Sequence, residues 1–297
     1  MENEFPFFSV IIPTYNRAGF IGKTIRSLLD QVFNDFEIIV VDDGSTDSTA
    51  EVMKNFVGGK TSYHQKNNAE RAAARNFGAR LAKGTYVNFF DSDDVAYPGH
   101  LQTAFTTLNR FSQPEIFHLG YDTKDSEGNL LSETNHLQGK DLNSKLIHGN
   151  VLSCNGVFLR RDIVLQHPFN EDRILSASED YELWLRLAAR YPVLYDNTIT
   201  STVINHDARS VLVINKDALI RRQKAFIQHL FADPVSAGKY APYRSLLIAN
   251  AHTYIALHLA LTKKHRKEVI AYLWKAFTSR PAVVSRRRFW ASLKHIL

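Results

Sequence analysis

Three short apolar runs, each breaking off at a polar loop, constrain this chain of 297 residues more than any other feature. They are Phe7-Phe8-Ser9-Val10-Ile11-Ile12-Pro13-Thr14, Phe36-Glu37-Ile38-Ile39-Val40-Val41 and Tyr86-Val87-Asn88-Phe89-Phe90. Each is short, rich in β-branched and aromatic residues, and lacks the alternation of a half-exposed strand. Such runs belong to strands covered on both faces, as in a parallel sheet flanked by helices. The segments between them carry helical spacing: Ile21, Ile25, Leu28 and Leu29, then residues 49–56, then residues 71–83 stopped by Gly84. The expected class is α/β, with a Rossmann-like, mostly parallel sheet and helices on both faces. In open sheets of this kind ligands sit beyond the carboxyl ends of the strands. Residues 14–17, 42–47 and 91–94 should therefore converge on one crevice.

The last of these loops, Asp91-Ser92-Asp93-Asp94, sets three carboxylates at the edge of the core. Like charges there are costly unless a cation or a row of donors neutralises them. Mg²⁺ commonly takes one or two protein carboxylates and completes its shell with substrate phosphates. A metal–diphosphate site is one expectation, a solvated acidic loop the other. Asp42 and Asp43 end the second run, although Asp43-Gly44 is also an ordinary turn, and Ser45 or Asp47 is the expected N-cap. Arg71 and Arg75 are four apart and share a helix face from which one can reach a diphosphate, while Arg80 lies off that face.

Further on, Asp125-Ser126-Glu127-Gly128-Asn129 reads as a hairpin turn, and residues 151–161 as an antiparallel strand pair or a bulged strand. Ser176-Ala177-Ser178-Glu179-Asp180-Tyr181 opens a helix, and Ser176 with Glu179 matches a capping box. Asp180 lies in the first turn, where the macrodipole favours its ionised form. Residues 199–205 suggest a last strand, ending at His206-Asp207. Beyond it the spacing is helical over 218–230, 243–262, 267–278 and 286–296.

Charge divides the chain at about the same place. Residues 216–297 hold 16 Lys+Arg and 3 Asp+Glu of totals of 36 and 30, which leaves 20 and 27 for the rest. Two parts are expected, a body over 1–215 and a basic helical tail over 216–297. In the tail, Phe289, Trp290, Leu293 and Leu297 share a helix face bordered by Arg286, Arg287 and Lys294. That composition suits an interfacial helix at an anionic membrane, and equally a helix docked on the body or joining copies of the chain.

Several classes lack their signature. Cys154 is the single cysteine, expected as a small buried residue, so no internal disulfide forms. Neither G-x-x-x-x-G-K-[ST] nor G-x-G-x-x-G occurs. No apolar run approaches the roughly 20 residues of a membrane helix. The acidic start, Met1-Glu2-Asn3-Glu4, does not resemble a signal peptide. A cytoplasmic location follows as an expectation, with peripheral contact at the inner membrane face as its extension.

Taken together, Ser9-Val10-Ile11-Ile12-Pro13-Thr14-Tyr15-Asn16-Arg17, Val40-Val41-Asp42-Asp43-Gly44-Ser45-Thr46-Asp47, Ala74-Arg75-Asn76, Asp91-Ser92-Asp93-Asp94 and Glu179-Asp180 resemble, in order and spacing, the family-2 inverting glycosyltransferases of the GT-A fold. The resemblance covers roughly residues 7–215. It implies a nucleotide-sugar donor, UDP- or dTDP-linked, a divalent metal (Mg²⁺ or Mn²⁺), and transfer to a hydroxyl of a glycan or lipid-linked acceptor with inversion. No nucleic acid is expected as a partner. On this resemblance Asp93 contacts the metal, Asp91 the ribose or a metal-bound water, and His206 completes the metal shell. Asp42 or Asp43 accepts from the uracil N–H, and Pro13, Thr14, Tyr15 and Arg17 flank the donor, as do Ser92 and one of Arg71 and Arg75. Asp180 is the general base, with Glu179 and Trp184 on the acceptor side. The residues alone leave Tyr15 and Trp184 open as core aromatics, Glu179 as a cap and His206 as a structural histidine. Two other classes stay open: a nucleotidyltransferase acting on a sugar phosphate, and a non-catalytic nucleotide- or glycan-binding module.

Overall fold

All three apolar runs are strands in the computed structural model, which describes residues 5–134, 142–206 and 215–296. The chain opens with β1 (Phe8–Thr14), α1 (Ile21–Leu29), β2 (Phe36–Asp42), α2 (Thr49–Met53), β3 (Thr61–Gln65), α3 (Glu70–Leu81) and β4 (Tyr86–Phe89). There follow β5 (Val95–Ala96), α4 (His100–Arg110), β6 (Ile116–Asp125), β7 (Leu130–Glu133), α5 (Leu142–Leu146), β8 (Val157–Arg160) and α6 (Arg161–Gln166). Then come α7 (Glu179–Ala188), β9 (Val193–Asn205), α8 (Lys216–Ala232), α9 (Pro234–Tyr240), α10 (Arg244–Leu261), α11 (Arg266–Ser279) and α12 (Arg287–Lys294).

The described residues fall into two compact units, one from within 1–142, 152–171 and 191–207, the other from within 143–151, 172–190 and 208–297. This partition differs from a single cut after residue 215, because the helix carrying Asp180 belongs with the tail helices.

The first unit is one sheet in the order β3-β2-β1-β4-β8-β6-β9-β5, with β7 beside β6. Its first four strands are parallel, as near-continuous apolar strands require. β1 is buried throughout. Its register sets Thr14 against Asp42, so the first two polar loops start side by side. Phe8, Val10, Ile12, Tyr86, Phe90, Phe117 and Phe158 form a core with Ile21, Ile25 and Leu28 of α1 and Leu101 and Leu108 of α4. Each such side chain contributes roughly 1.5–3 kcal/mol on burial. On the other face α3 lies so close to β1 that a Cβ at Gly78 would come 2.4 Å from Ile11 Cγ2.

Some local expectations are corrected. Residues 151–161 hold one strand, β8, antiparallel to both β4 and β6, rather than a strand pair. The capping box at Ser176 does not form, because Ala177 adopts φ +68° and moves the helix start to Ser178. Glu179 instead accepts from the Ser178 amide through Oε2 at 3.1 Å. The cap of α2 is Ser48, but Asp47 satisfies the Thr49 amide and hydroxyl.

In the second unit α7 is tied to the tail helices. Asp233 accepts two bonds from Arg190 at 2.9 and 2.6 Å, Tyr240 donates to the Leu185 carbonyl, and Tyr181 stacks on Phe226 at 5.0 Å. Phe289 and Leu293 of α12 pack against Ile255 and Leu259 of α10 and Leu273 of α11, within the same unit. Trp290 takes no part in this packing: it is 60% exposed, donating to the Val284 carbonyl. Leu297 and Asp207 lie outside the described residues. Among the described residues no helix is long and apolar enough to cross a membrane.

Candidate active site

The ends of β1, β2 and β4 are laced together by short side chains. Asn16 takes φ +50°, a left-handed conformation that Asn tolerates, and its Oδ1 accepts from the amides of Thr46 and Asp47 at 2.8 and 3.3 Å. Its own amide donates to Ser45 Oγ. The Asp43 amide donates to the Thr14 carbonyl at 2.8 Å. Burial acts to raise the Asp47 carboxyl, but donors from Thr49 and the Ala18 amide hold it below the usual carboxylate range. These contacts fix the turn that presents Tyr15, which is exposed and so is not a core aromatic. Pro13 and Thr14 are buried in β1, and the Thr14 hydroxyl has no hydrogen-bond partner among the described residues.

The paired acids of β2 divide in role. Asp42 is fully buried, with Oδ1 accepting from the Ser45 amide at 2.8 Å and Oδ2 from the Tyr63 hydroxyl. Burial and that bond push the Tyr63 hydroxyl up. Asp42 is thus a brace. Asp43 receives Lys66 Nζ at 2.6 Å and the Ala69 amide at 2.9 Å on Oδ1, while Asn68 donates to its carbonyl. Lys66 and Tyr63 come from the polar stretch before α3, in which no spacing marked them.

The acidic loop is held from beneath by Asn155. Its Oδ1 accepts from the Asp91 amide at 3.0 Å and its Nδ2 donates to Asp94 Oδ2 at 2.8 Å. Asn88, the one polar side chain pointing within β4, donates to the carbonyls of Asn155 and Val157. The next residue must be glycine, since a Cβ at Gly156 would lie 2.5 Å from the Leu119 carbonyl oxygen. Asp94 is buried and also accepts from the Ile204 amide at 2.8 Å, so it braces β9. Ser92 is buried too, its carbonyl accepting from Thr24.

Asp91 and Asp93 meet cations. Arg75, 1% exposed, donates to Asp91 Oδ1 at 2.8 Å. Asp93 Oδ2 lies 3.3 Å from Arg17 Nε and 3.1 Å from His206 Nε2. The His206 ring stacks on Phe20 at 4.4 Å, a contact that nothing in the spacing announced. Arg71 sits one turn before Arg75 in α3, half-buried. Asn76, beside Arg75, clamps residues 169–171 through Phe169 and Glu171.

The strand ends therefore bring together Thr14, Arg17, Asp43, Arg75, Asp91, Asp93 and His206. Asp180 belongs to the second unit, where Asn150 Nδ2 donates to its Oδ2 at 3.0 Å. Glu179 and Trp184 are 2% and 0% exposed. Cys154 is buried, as expected.

Asp93 and His206 suit a divalent cation. One carboxylate and one imidazole share a single locus, and His206 Nδ1 is buried without a hydrogen-bond partner among the described residues. Mg²⁺ favours such a sparse protein shell completed by phosphate oxygens and water. Among the described residues no three His, Cys, Asp or Glu side chains form a fuller cage.

Residues 9–165, more than half of the chain, match the family described as glycosyl transferase family 2. An uncharacterised glycosyltransferase of Rickettsia typhi is 28% identical over 216 residues, 69% of this chain and 66% of that protein. The chain spans only 33% of similar relatives in Rickettsia felis and Rickettsia conorii. Among solved structures, TarS 1–349 of S. aureus in complex with UDP-GlcNAc matches with a TM-score of 0.71 and 20% identity, over 97% of this chain and 88% of that one. The mannosyltransferase PcManGT of Pyrobaculum calidifontis, in complex with GDP-Man and Mn²⁺, matches with a TM-score of 0.64 and 17% identity, over 99% and 86%. The chain belongs to glycosyl transferase family 2, and its fold is GT-A.

Proposed function

We propose that the protein is an inverting glycosyltransferase that moves a sugar from a nucleotide-diphosphate donor, a UDP-sugar in the first instance, to a hydroxyl of a glycan or lipid-linked acceptor. The observation that carries this reading is the pairing of Arg17 and His206 with Asp93, alongside Arg75 with Asp91, at neighbouring strand ends.

Asp43 accepts from the base, leaving Asp42 as its brace, and Tyr15 covers the ring. Arg75 orients Asp91 toward the ribose, and Arg17 adds positive charge where the diphosphate leaves. Asp93 and His206 would hold Mg²⁺ or Mn²⁺, which would supply Lewis-acid stabilisation to the departing diphosphate. Asp180, oriented by Asn150, takes the proton of the acceptor hydroxyl as it attacks. Inversion needs only this one base.

Product analysis across UDP-, GDP- and dTDP-sugars with Mn²⁺ tests the reading. Asp180→Asn should abolish transfer and keep the stabilisation by UDP. Transfer equal to wild type would reject the base, and nucleotide transfer in place of sugar transfer would reject the class.

Peripheral membrane contact belongs to the same reading. Ile270, Trp274 and Trp290 are exposed at 58%, 65% and 60% on the basic helices α11 and α12, a makeup suited to anionic lipid.

A further inference from the structure

We propose that a cavity between the α10–α11 turn and the end of α12 seats the headgroup phosphate of an anionic glycerophospholipid. This rests on the reading of peripheral membrane contact and adds the group that is recognised. The cavity has a volume of about 400 Å³ and is lined by Lys263, Arg266, Lys294, His295 and Ile296. Packing within the second unit holds its walls. Ile296 is buried in one cluster with Leu259 of α10 and Val269 of α11. The last turn of α12 closes through the His295 and Ile296 amides, which donate to the carbonyls of Ala291 and Leu293 at 3.2 and 3.1 Å. After α10, the Thr262 hydroxyl donates to the Leu259 carbonyl at 2.7 Å and the Lys263 amide to the Ala260 carbonyl at 3.0 Å. This turn puts Lys263 at φ +56°, a left-handed conformation that favours glycine. The chain thus presents a lysine side chain at the cavity where a glycine would fit the backbone better.

Among the described residues the lining carries two lysines, an arginine and an imidazole, and no carboxylate. Glu268, the acid next to it in sequence, is held by Lys216 at 3.1 Å and does not line the cavity. Cations without an acid partner occur elsewhere in the unit; these share one volume, in which an entering phosphate meets several charged donors at once. What borders the cavity points to lipid as the source of that phosphate. Arg266, Ile270 and Trp274 follow one another on successive turns of α11, and Trp290 precedes Lys294 by one turn of α12. Ile270, Trp274 and Trp290 are exposed, and Trp274 stacks on Phe277 at 5.7 Å. A cationic cavity and exposed indoles along the same two helices suit the headgroup level of a bilayer, where aromatic rings settle. A phosphate free in solution has no use for such an apolar margin.

Co-sedimentation at low salt tests this with two kinds of vesicle. One is phosphatidylcholine with about 30% phosphatidylglycerol; the other is phosphatidylcholine brought to the same surface charge with oleate, whose charge is a carboxylate. Wild type should bind the first at least about five-fold more tightly. Arg266→Gln combined with Lys294→Gln should lose that preference. Lys224→Gln combined with Lys239→Gln removes equal charge outside the cavity and should keep the preference to within about two-fold. All four side chains are exposed, so neither double variant disturbs the core. Equal binding of wild type to both vesicles would overturn the phosphate site and leave membrane contact in place. So would a preference kept in the first double variant or lost in both. No binding of wild type to either vesicle would overturn the membrane reading as well. Inorganic phosphate titrated without vesicles should bind more weakly than about 1 mM. Tighter binding, lost in Arg266→Gln with Lys294→Gln, would assign the cavity to a soluble phosphate and overturn the lipid.

Discussion

Replacing Asn155 with alanine tests how the acidic loop is held. Asn155 is 1% exposed, and its amide serves the Asp91 N–H and the buried Asp94 carboxylate. The first contact is a neutral hydrogen bond worth about 1 kcal/mol, the second a bond to a charged group worth about 1.5–3 kcal/mol. Ile204 still donates to Asp94, and the backbone carbonyl at 155 still accepts from Asn88, so neither contact adds to the loss. The sum is about 3 kcal/mol, a large share of the roughly 5–15 kcal/mol that holds a domain folded. Hydrogen exchange read peptide by peptide in sub-denaturing urea gives the free energy of opening for β4 and β8 separately from the helical unit. Both strands should lose about 3 kcal/mol and α10 and α11 much less. A loss below about 1 kcal/mol in β4 and β8, or an equal loss in α10 and α11, would refute the reasoning.

Acid should weaken the first unit from near neutrality. Burial drives His100 and His118 down to about 3, whereas unfolded histidine titrates near 6.5. The unfolded chain binds more protons between those values, so stability is intact above about pH 6.5 and falls as pH drops toward 3. Urea midpoints between pH 8 and pH 5 check this, and a flat profile would contradict it. For the membrane reading, the protein should sediment with vesicles of anionic lipid at low salt and be released at about 0.5 M salt. Absence from the pellet at low salt rejects it.

The parallel half of the sheet was legible because β1, β2 and β4 are apolar on both faces and each breaks at a polar loop. The pairing of β6 with β9 was not, since it joins Ile116 to Val193 across intervening elements and no local signal marks it. The helix α9 was missed because Asp233-Pro234 reads as a break. In the structure Asp233 caps through the Ser236 amide at 2.8 Å, and Pro234 occupies a first-turn position where its missing N–H costs nothing. The acids and arginines of the site were legible from their types and order. What holds them, Asn155, Tyr63, Lys66 and Phe20, was not, because a brace is defined by what the fold brings near it. The grouping of α7 with the tail was equally hidden: its amphipathic face shows that it packs, not against what.

Titration of UDP into wild type and Asp93→Asn, with and without Mn²⁺, tests the donor site most directly. Wild type should bind UDP more tightly when Mn²⁺ is present, and Asp93→Asn should lose that gain while retaining the metal-free affinity to within a few-fold. A gain of the same size in Asp93→Asn would contradict the assignment of the metal and diphosphate to this strand end.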